Sequence, residues 1–162
     1  MFKKGETIIY PIYGAGKITE KYDEELSDEV VKYYQISFET SQVTVSVPVE
    51  KAEEFGVREP LSQKDIKASL KNLSKRAKLD KDTITNLSEI ATEMMKSGKF
   101  EDAIDLLNLY KAVIKHHNKE GKNLSFSHTK NVENIVKFVQ SEIGAVLGEK
   151  AVSKFKVSPL EE

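Results

Sequence analysis

The sequence predicts an α+β protein, a small β-barrel followed by an all-α helical domain, and two observations carry this. Apolar residues recur with a period near two as far as residue 48 and with a helical period after residue 62. The charge divides at nearly the same place: residues 1–60 hold 7 Lys/Arg against 12 Asp/Glu, net -5, and the remainder holds 18 against 14, net +4, within a formal total of -1. Two modules of opposite charge are expected to meet different partners.

The first module reads as strands. "ETIIY", "GKITEKY", "VVKYYQISF" and "VTVSVPV" are short runs rich in β-branched and aromatic residues. In the last run Val43, Val45 and Val47 fall on one face and Thr44 and Ser46 on the other, while Pro48 favours an edge or a strand end. "YPIYGAGKI" between the first two runs is not a nucleotide loop. Its glycines lack the third glycine of a dinucleotide fingerprint, where Thr19 stands, and the spacing of a P-loop. Gly14 and Gly16 are instead expected to punctuate two strands. The acidic "DEELSDE" reads as an exposed loop. A sheet of four or five such strands needs closure or a covering layer, which implies a barrel of SH3 or Tudor type.

After "GVREPLS" the period changes, with Ser62 placed to cap a helix. Four apolar stripes follow: Ile66, Leu70, Leu73 and Ala77; Ile84, Leu87, Ala91, Met94 and Met95; Ala103, Ile104, Leu107, Tyr110, Val113 and Ile114; and Val132, Ile135, Val136, Val139, Ile143 and Val146. Breaks are expected at "LDKDT", "KSGK", "KEGKNLS" and near Gly144 and Gly148. The predicted boundaries are 1–60 for the β module, 61–152 for the helical domain and 153–162 for a flexible tail.

Several function classes find no support in the residues. The 39% hydrophobic content suffices for a core, but no run of about 18 apolar residues exists to span a membrane, and the N-terminus lacks a signal-peptide pattern. The chain has no cysteine, which fits a reducing cytoplasm. Its three histidines, His116, His117 and His128, do not make a metal-ligand spacing and are expected at the surface. No nucleophile elbow and no isolated acid/base pair occurs. A cytoplasmic non-enzyme without cofactor or metal is expected.

The feature that invites a partner is basic. On the expected first helix Lys64, Lys67, Lys71, Lys75 and Lys78 recur at spacings of three and four, on the side opposite Ile66, Leu70 and Leu73. An ordinary solvated face has the same pattern. A phosphate-contacting surface is the functional alternative, because each lysine that neutralises a phosphate releases counterions. Lys111, Lys115, Lys119, Lys122 and Lys130 add charge whose position the fold must decide.

"FKKGETIIYPIYGAGKI", "KYYQISF", "VTVSVPVEKAEEFGVREPLS" and the helical remainder together resemble the CarD/CdnL family of bacterial transcription regulators, over roughly residues 2–150. The resemblance implies a Tudor-like module, shared with the transcription-repair coupling factor, that docks on the β subunit of RNA polymerase. It implies also that the helices lie against promoter DNA at the upstream edge of the bubble and stabilise the open complex. The docking residues it points to are Val43, Thr44, Val45, Ser46, Val47 and Pro48. Several relatives carry a basic residue at the position of Ser46.

The DNA module departs from the family further. A family tryptophan that wedges into the minor groove corresponds to Ile84, and the basic residues after it to Thr85, Asn86, Leu87, Ser88 and Glu89; the chain has no tryptophan. Ile84 can act as an apolar wedge, but its stripe with Leu87 and Ala91 argues for burial. Lys130 falls near a basic family position. The DNA-binding candidates are therefore Lys67, Lys71, Lys75, Ile84, Asn86 and Lys130. Two other readings stay open: a polymerase-binding module whose helices contact a protein, and a nonspecific DNA-binding protein.

Overall fold

The computed structural model describes residues 1–39 and 41–161. Strands β1 (Thr7–Tyr10), β2 (Gly14–Leu26), β3 (Glu29–Ser37) and β4 (Thr44–Pro48) form one antiparallel sheet in chain order. The expected acidic loop is a tight hairpin: Leu26 pairs with Glu29, and Ser27 and Asp28 have φ of 47° and 73°, the signs a type I′ turn requires. The β2–β3 ladder runs beyond the ends of β1 and β4, so its outer part projects as a two-stranded acidic ribbon.

The sheet stays open where the sequence reading expects closure. Among the described strands β1 pairs only with β2 and β4 only with β3. β4 stops at Pro48, which has no N–H to continue a ladder, and the chain turns into a 3₁₀ segment, Val49–Lys51. The outer edge of β1 is taken instead by Arg58, whose backbone exchanges hydrogen bonds of 2.8 and 3.0 Å with Ile9. One face of the sheet buries Ile8, Ile18, Tyr34, Ile36, Phe38 and Val47. Gly16 belongs to this packing: a Cβ there would lie 2.7 Å from the Phe38 ring.

The helices are α1 (Gln63–Leu70), α2 (Lys81–Thr85), α3 (Leu87–Lys96), α4 (Phe100–Lys119), α5 (Phe126–Leu147) and α6 (Glu149–Lys154). Ser62 caps α1, its Oγ accepting the Asp65 N–H at 3.1 Å. The second core gathers the expected stripes, with Ile66, Leu70, Leu87, Ala91, Ile104, Leu107, Val132, Ile135, Val139 and Ile143 all buried. α5 also packs on β2, where Ser141 Oγ accepts the Ala15 N–H at 3.0 Å. Gly14, with φ 84°, lies directly against Ser141, so "YPIYGAG" is the surface on which the helices seat.

Four expectations are corrected. The first helix ends at Leu70 and passes through a 3₁₀ turn, Lys71–Ser74, into extended chain at Lys75; the buried Asn108 donates to the Asn72 carbonyl at 2.6 Å and ties that turn to α4. The second helix breaks at Asn86, which ends α2 and precedes α3. α5 continues through Gly144 and stops at Gly148, where φ is 93°. Finally, the segment expected to fray is packed: Val157, 4% exposed, joins the helical core and Phe155 packs against it. Glu162 lies outside the described residues.

Candidate functional site

Two surfaces carry the candidate residues. On the sheet, Thr44 and Ser46 are exposed, Val45 is half-buried and Val47 is buried, opposite Ser37, Gln35, Ile36 and Tyr34 of β3 respectively. The alternation expected for Val45 and Val47 is present, and Val43 just before the strand is exposed. Among the described residues no strand pairs with the outer edge of β4. Such an edge presents a row of backbone donors and acceptors to any extended segment. Ser46 is held by Tyr22, whose hydroxyl donates to its Oγ at 2.9 Å while the Tyr22 ring stacks on Tyr33. This corner is neutral, and the ribbon beside it exposes Glu24, Glu25, Asp28 and Glu29.

On the helical side Lys64, Lys67, Lys71, Lys75, Arg76 and Lys78 are all exposed. Lys64, Lys67 and Lys71 share the outer face of α1 and its following turn, whereas Lys75 and Lys78 lie on the extended connector to α2. The ridge is therefore a bent track and not one helix face. Two basic residues join it that spacing alone did not assign: Lys111 of α4 and Lys156 of the C-terminal segment line a cleft with Ser74, between Lys71 and Lys75 in the chain. Lys156 was hidden because its position depends on the burial of Val157, a single apolar residue without periodicity.

Ile84 and Asn86 lie apart from this track in character. Ile84 is half-buried and belongs to neither core cluster, unlike Leu87 and Ala91, so the expected burial of the whole stripe is corrected. The interruption at Asn86 takes α2 out of the register of α3. Asn86 is exposed. The surroundings are acidic: Asp80 caps α2, with Oδ1 accepting the Thr83 N–H and hydroxyl at 2.7 Å each, and these two hydrogen bonds, the backbone one first, lower the Asp80 pKa. Asp80, Asp82 and Glu89 thus oppose phosphate near Ile84.

Lys130 is in the first turns of α5, exposed, 3.2 Å from Glu133 Oε2 and over the Phe126 ring at 5.9 Å. Leu61, just ahead of α1, meets α5 at Glu142, which at 1.5 Å per residue is about 18 Å along the helix from Lys130. The structure does not bring Lys130 to the start of the lysine track. The histidines are half-buried, not fully at the surface: His128 Nδ1 is 3.3 Å from the Tyr110 hydroxyl and His116 Nε2 is 3.5 Å from Glu120. Among the described residues no three His, Asp or Glu side chains are grouped to hold a metal ion, and no helix is long and apolar enough to cross a membrane.

The described residues thus form an open β meander whose last strand pairs on one side only, joined to helices that carry a basic track. Residues 2–60 match the CarD-like/TRCF RID domain. Over 158 residues the chain is 25% identical to "Putative transcription factor YdeB" of Bacillus subtilis (strain 168), covering 96% of this chain and 99% of that protein. The first 60 residues thus resemble a CarD-like/TRCF RID domain, and the chain is similar along nearly its whole length to that Bacillus subtilis protein.

Proposed function

We propose that the chain bridges RNA polymerase and promoter DNA and stabilises the open complex. The observation that carries this reading is the free β4 edge within a segment that matches the CarD-like/TRCF RID domain. In this reading residues 1–60 are the polymerase-interacting module and dock on the β subunit through Val43, Thr44, Val45, Ser46, Val47 and Pro48. The helical domain from residue 61 onward contacts duplex DNA. Lys67, Lys71 and Lys75 meet phosphates, Ile84 and Asn86 face the groove, and Lys130 adds a contact near the start of α5. Binding shifts the balance between closed and open complexes because the contacts differ between them. The reading places the protein in the cytoplasm, on the nucleoid.

The test compares binding to a promoter fragment with a pre-melted bubble and to its plain duplex, each with and without polymerase, across a salt series. Polymerase is expected to tighten the bubble complex. Charge reversal at Lys67, Lys71 and Lys75 is expected to lower the salt slope by about 0.9 for each phosphate left without its lysine. An unchanged slope with loss of binding on Ile84 substitution would sink the lysine assignment.

The carboxylates around Ile84 favour a second reading, in which the helical domain meets a protein. It predicts polymerase binding with no added DNA contact in any salt.

A further inference from the structure

We infer that the cleft between the Lys71–Ser74 turn, α4 and the C-terminal segment seats a phosphate group. Resting on the DNA reading above, it assigns that phosphate to the nucleic-acid backbone. The cleft has a volume of about 110 Å³, and its polar lining is Ser74, Asn108, Lys111, Lys156 and Ser158. The Lys156 ammonium, two hydroxyls and an amide make a donor set suited to an oxyanion, and these are the side-chain types that hold nucleic-acid phosphates.

The fold holds these donors in place. Asn108 is 6% exposed and spends one of its two amide protons on the Asn72 carbonyl, which fixes the amide at the wall of the cleft. Burial of Val157 anchors the last segment, so its neighbours Lys156 and Ser158 are carried to the opposite wall. Ser158 Oγ accepts the Leu160 N–H at 3.2 Å, a bond that uses an oxygen lone pair and not the hydroxyl proton. Lys71 and Lys75 flank Ser74 and are exposed, so a phosphate in the cleft continues their track. The segment that looks like a frayed tail in the sequence thereby becomes part of a binding surface.

The same chemistry could be met by a DNA phosphodiester or by a small free phosphate, and two measurements separate them. Duplex binding is followed by fluorescence anisotropy over a salt series for the wild type, Lys156→Gln, Ser74→Ala and a control, Lys122→Gln, beyond the end of α4. Amide resonances are followed by NMR as millimolar inorganic phosphate is added. Lys156→Gln is expected to weaken binding several-fold and lower the salt slope by about 0.9. Ser74→Ala is expected to weaken binding less, and the control to match the wild type. If DNA binds but the two cleft variants behave as the control does, the seat is wrong and the DNA reading stands. If the wild type binds no DNA, yet phosphate shifts Ser74, Asn108 and Ser158 in the wild type and not in Lys156→Gln, the DNA reading fails and the seat serves a small phosphate. No DNA binding and no shift overturns both.

Discussion

Arg58 and Glu142 form a bidentate ion pair across the seam between sheet and helices, Nη2 lying 2.6 Å from Oε1 and Nη1 2.9 Å from Oε2. Glu142 is fully buried and also accepts the Leu61 N–H at 2.8 Å, while Arg58 Nε donates to the Gly98 carbonyl at 2.9 Å. The backbone of the same arginine closes the edge of β1 at Ile9. One residue thus ties the sheet, the turn before α4 and the middle of α5 together. Desolvating two charges is costly, and here three N–H donors on one carboxylate offset the cost. In the bridging reading, this joint sets the distance between the β4 edge and the lysine track.

Removal of one partner is the first expectation. Glu142→Ala leaves the guanidinium half-buried and the Leu61 N–H without its acceptor, so a loss of about 3–5 kcal/mol is expected in equilibrium urea unfolding. An Arg58→Met, Glu142→Leu double variant is expected to lose less than Glu142→Ala, because it strands no charge. Equal midpoints for Glu142→Ala and the wild type would show that apolar packing alone holds the seam.

The Gly14 contact makes a second case. Alanine there must hold φ near 84° and push Ser141 away. The backbone term alone is about 1–2 kcal/mol. A double-mutant cycle separates the two terms: Ser141→Ala is expected to relieve the steric part of Gly14→Ala and leave the backbone part. Full additivity in that cycle would place the cost wholly in the backbone.

The elements legible in the sequence are those whose cause is local. "VTVSVPV" alternates because one face of β4 meets a core, and Ser62 caps α1 through a hydroxyl three residues away from its donor. Long-range causes were not legible. The 3₁₀ turn after α1 is held by Asn108, far along the chain, which donates to the Asn72 carbonyl. The outer edge of β1 is met by the backbone of Arg58, 49 residues further along the chain than Ile9. The candidate edge strand was readable for the same local reason as β4 itself. The lysine track was readable as composition only, since its bend and its extension to Lys111 and Lys156 depend on tertiary packing.

The C-terminal segment offers a third expectation. Deleting residues 155–162 removes Phe155 and the buried Val157 from the helical core, and full burial of one such side chain is worth about 1.5–3 kcal/mol. A lower melting temperature is expected, together with loss of protection from hydrogen exchange in α4 around Leu107. An unchanged melting temperature would mean that the segment adds nothing to the core.

A fourth expectation concerns pH. Asp80 is a solvent-exposed cap whose pKa is lowered by the hydrogen bonds from Thr83, the backbone N–H first and the hydroxyl second. A carboxyl with a lowered folded pKa contributes stability above its ordinary, unfolded value and loses it as pH falls through the folded one. The Thr83 amide resonance is therefore expected to titrate below the usual aspartate range, with α2 fraying there. In Asp80→Asn, which keeps an acceptor but no titrating group, that transition is expected to vanish. Persistence of the transition in the variant would show that Asp80 is not its source.

The last expectation concerns the neutral corner at Ser46, whose Oγ accepts the Tyr22 hydroxyl at 2.9 Å. The strand edge is open and Ser46 is exposed, so in the polymerase-docking reading recognition rests on backbone pairing and on Val43 and Val45, with no charge from this position. Ser46→Arg points a guanidinium out of the same face and breaks no core contact, so the fold is expected to be unaffected. In the polymerase-docking reading, the added charge pairs at the rim of the interface, where a salt bridge is worth about 0.2–1 kcal/mol. Interferometry with immobilised β subunit is expected to show affinity rising by no more than a few-fold, the gain fading at high salt. Weaker binding of the variant would mean that the facing surface is basic. It would then pair with the acidic ribbon beside Ser46 at Glu24, Glu25 and Glu29, and the docking charge would be the reverse of the family's.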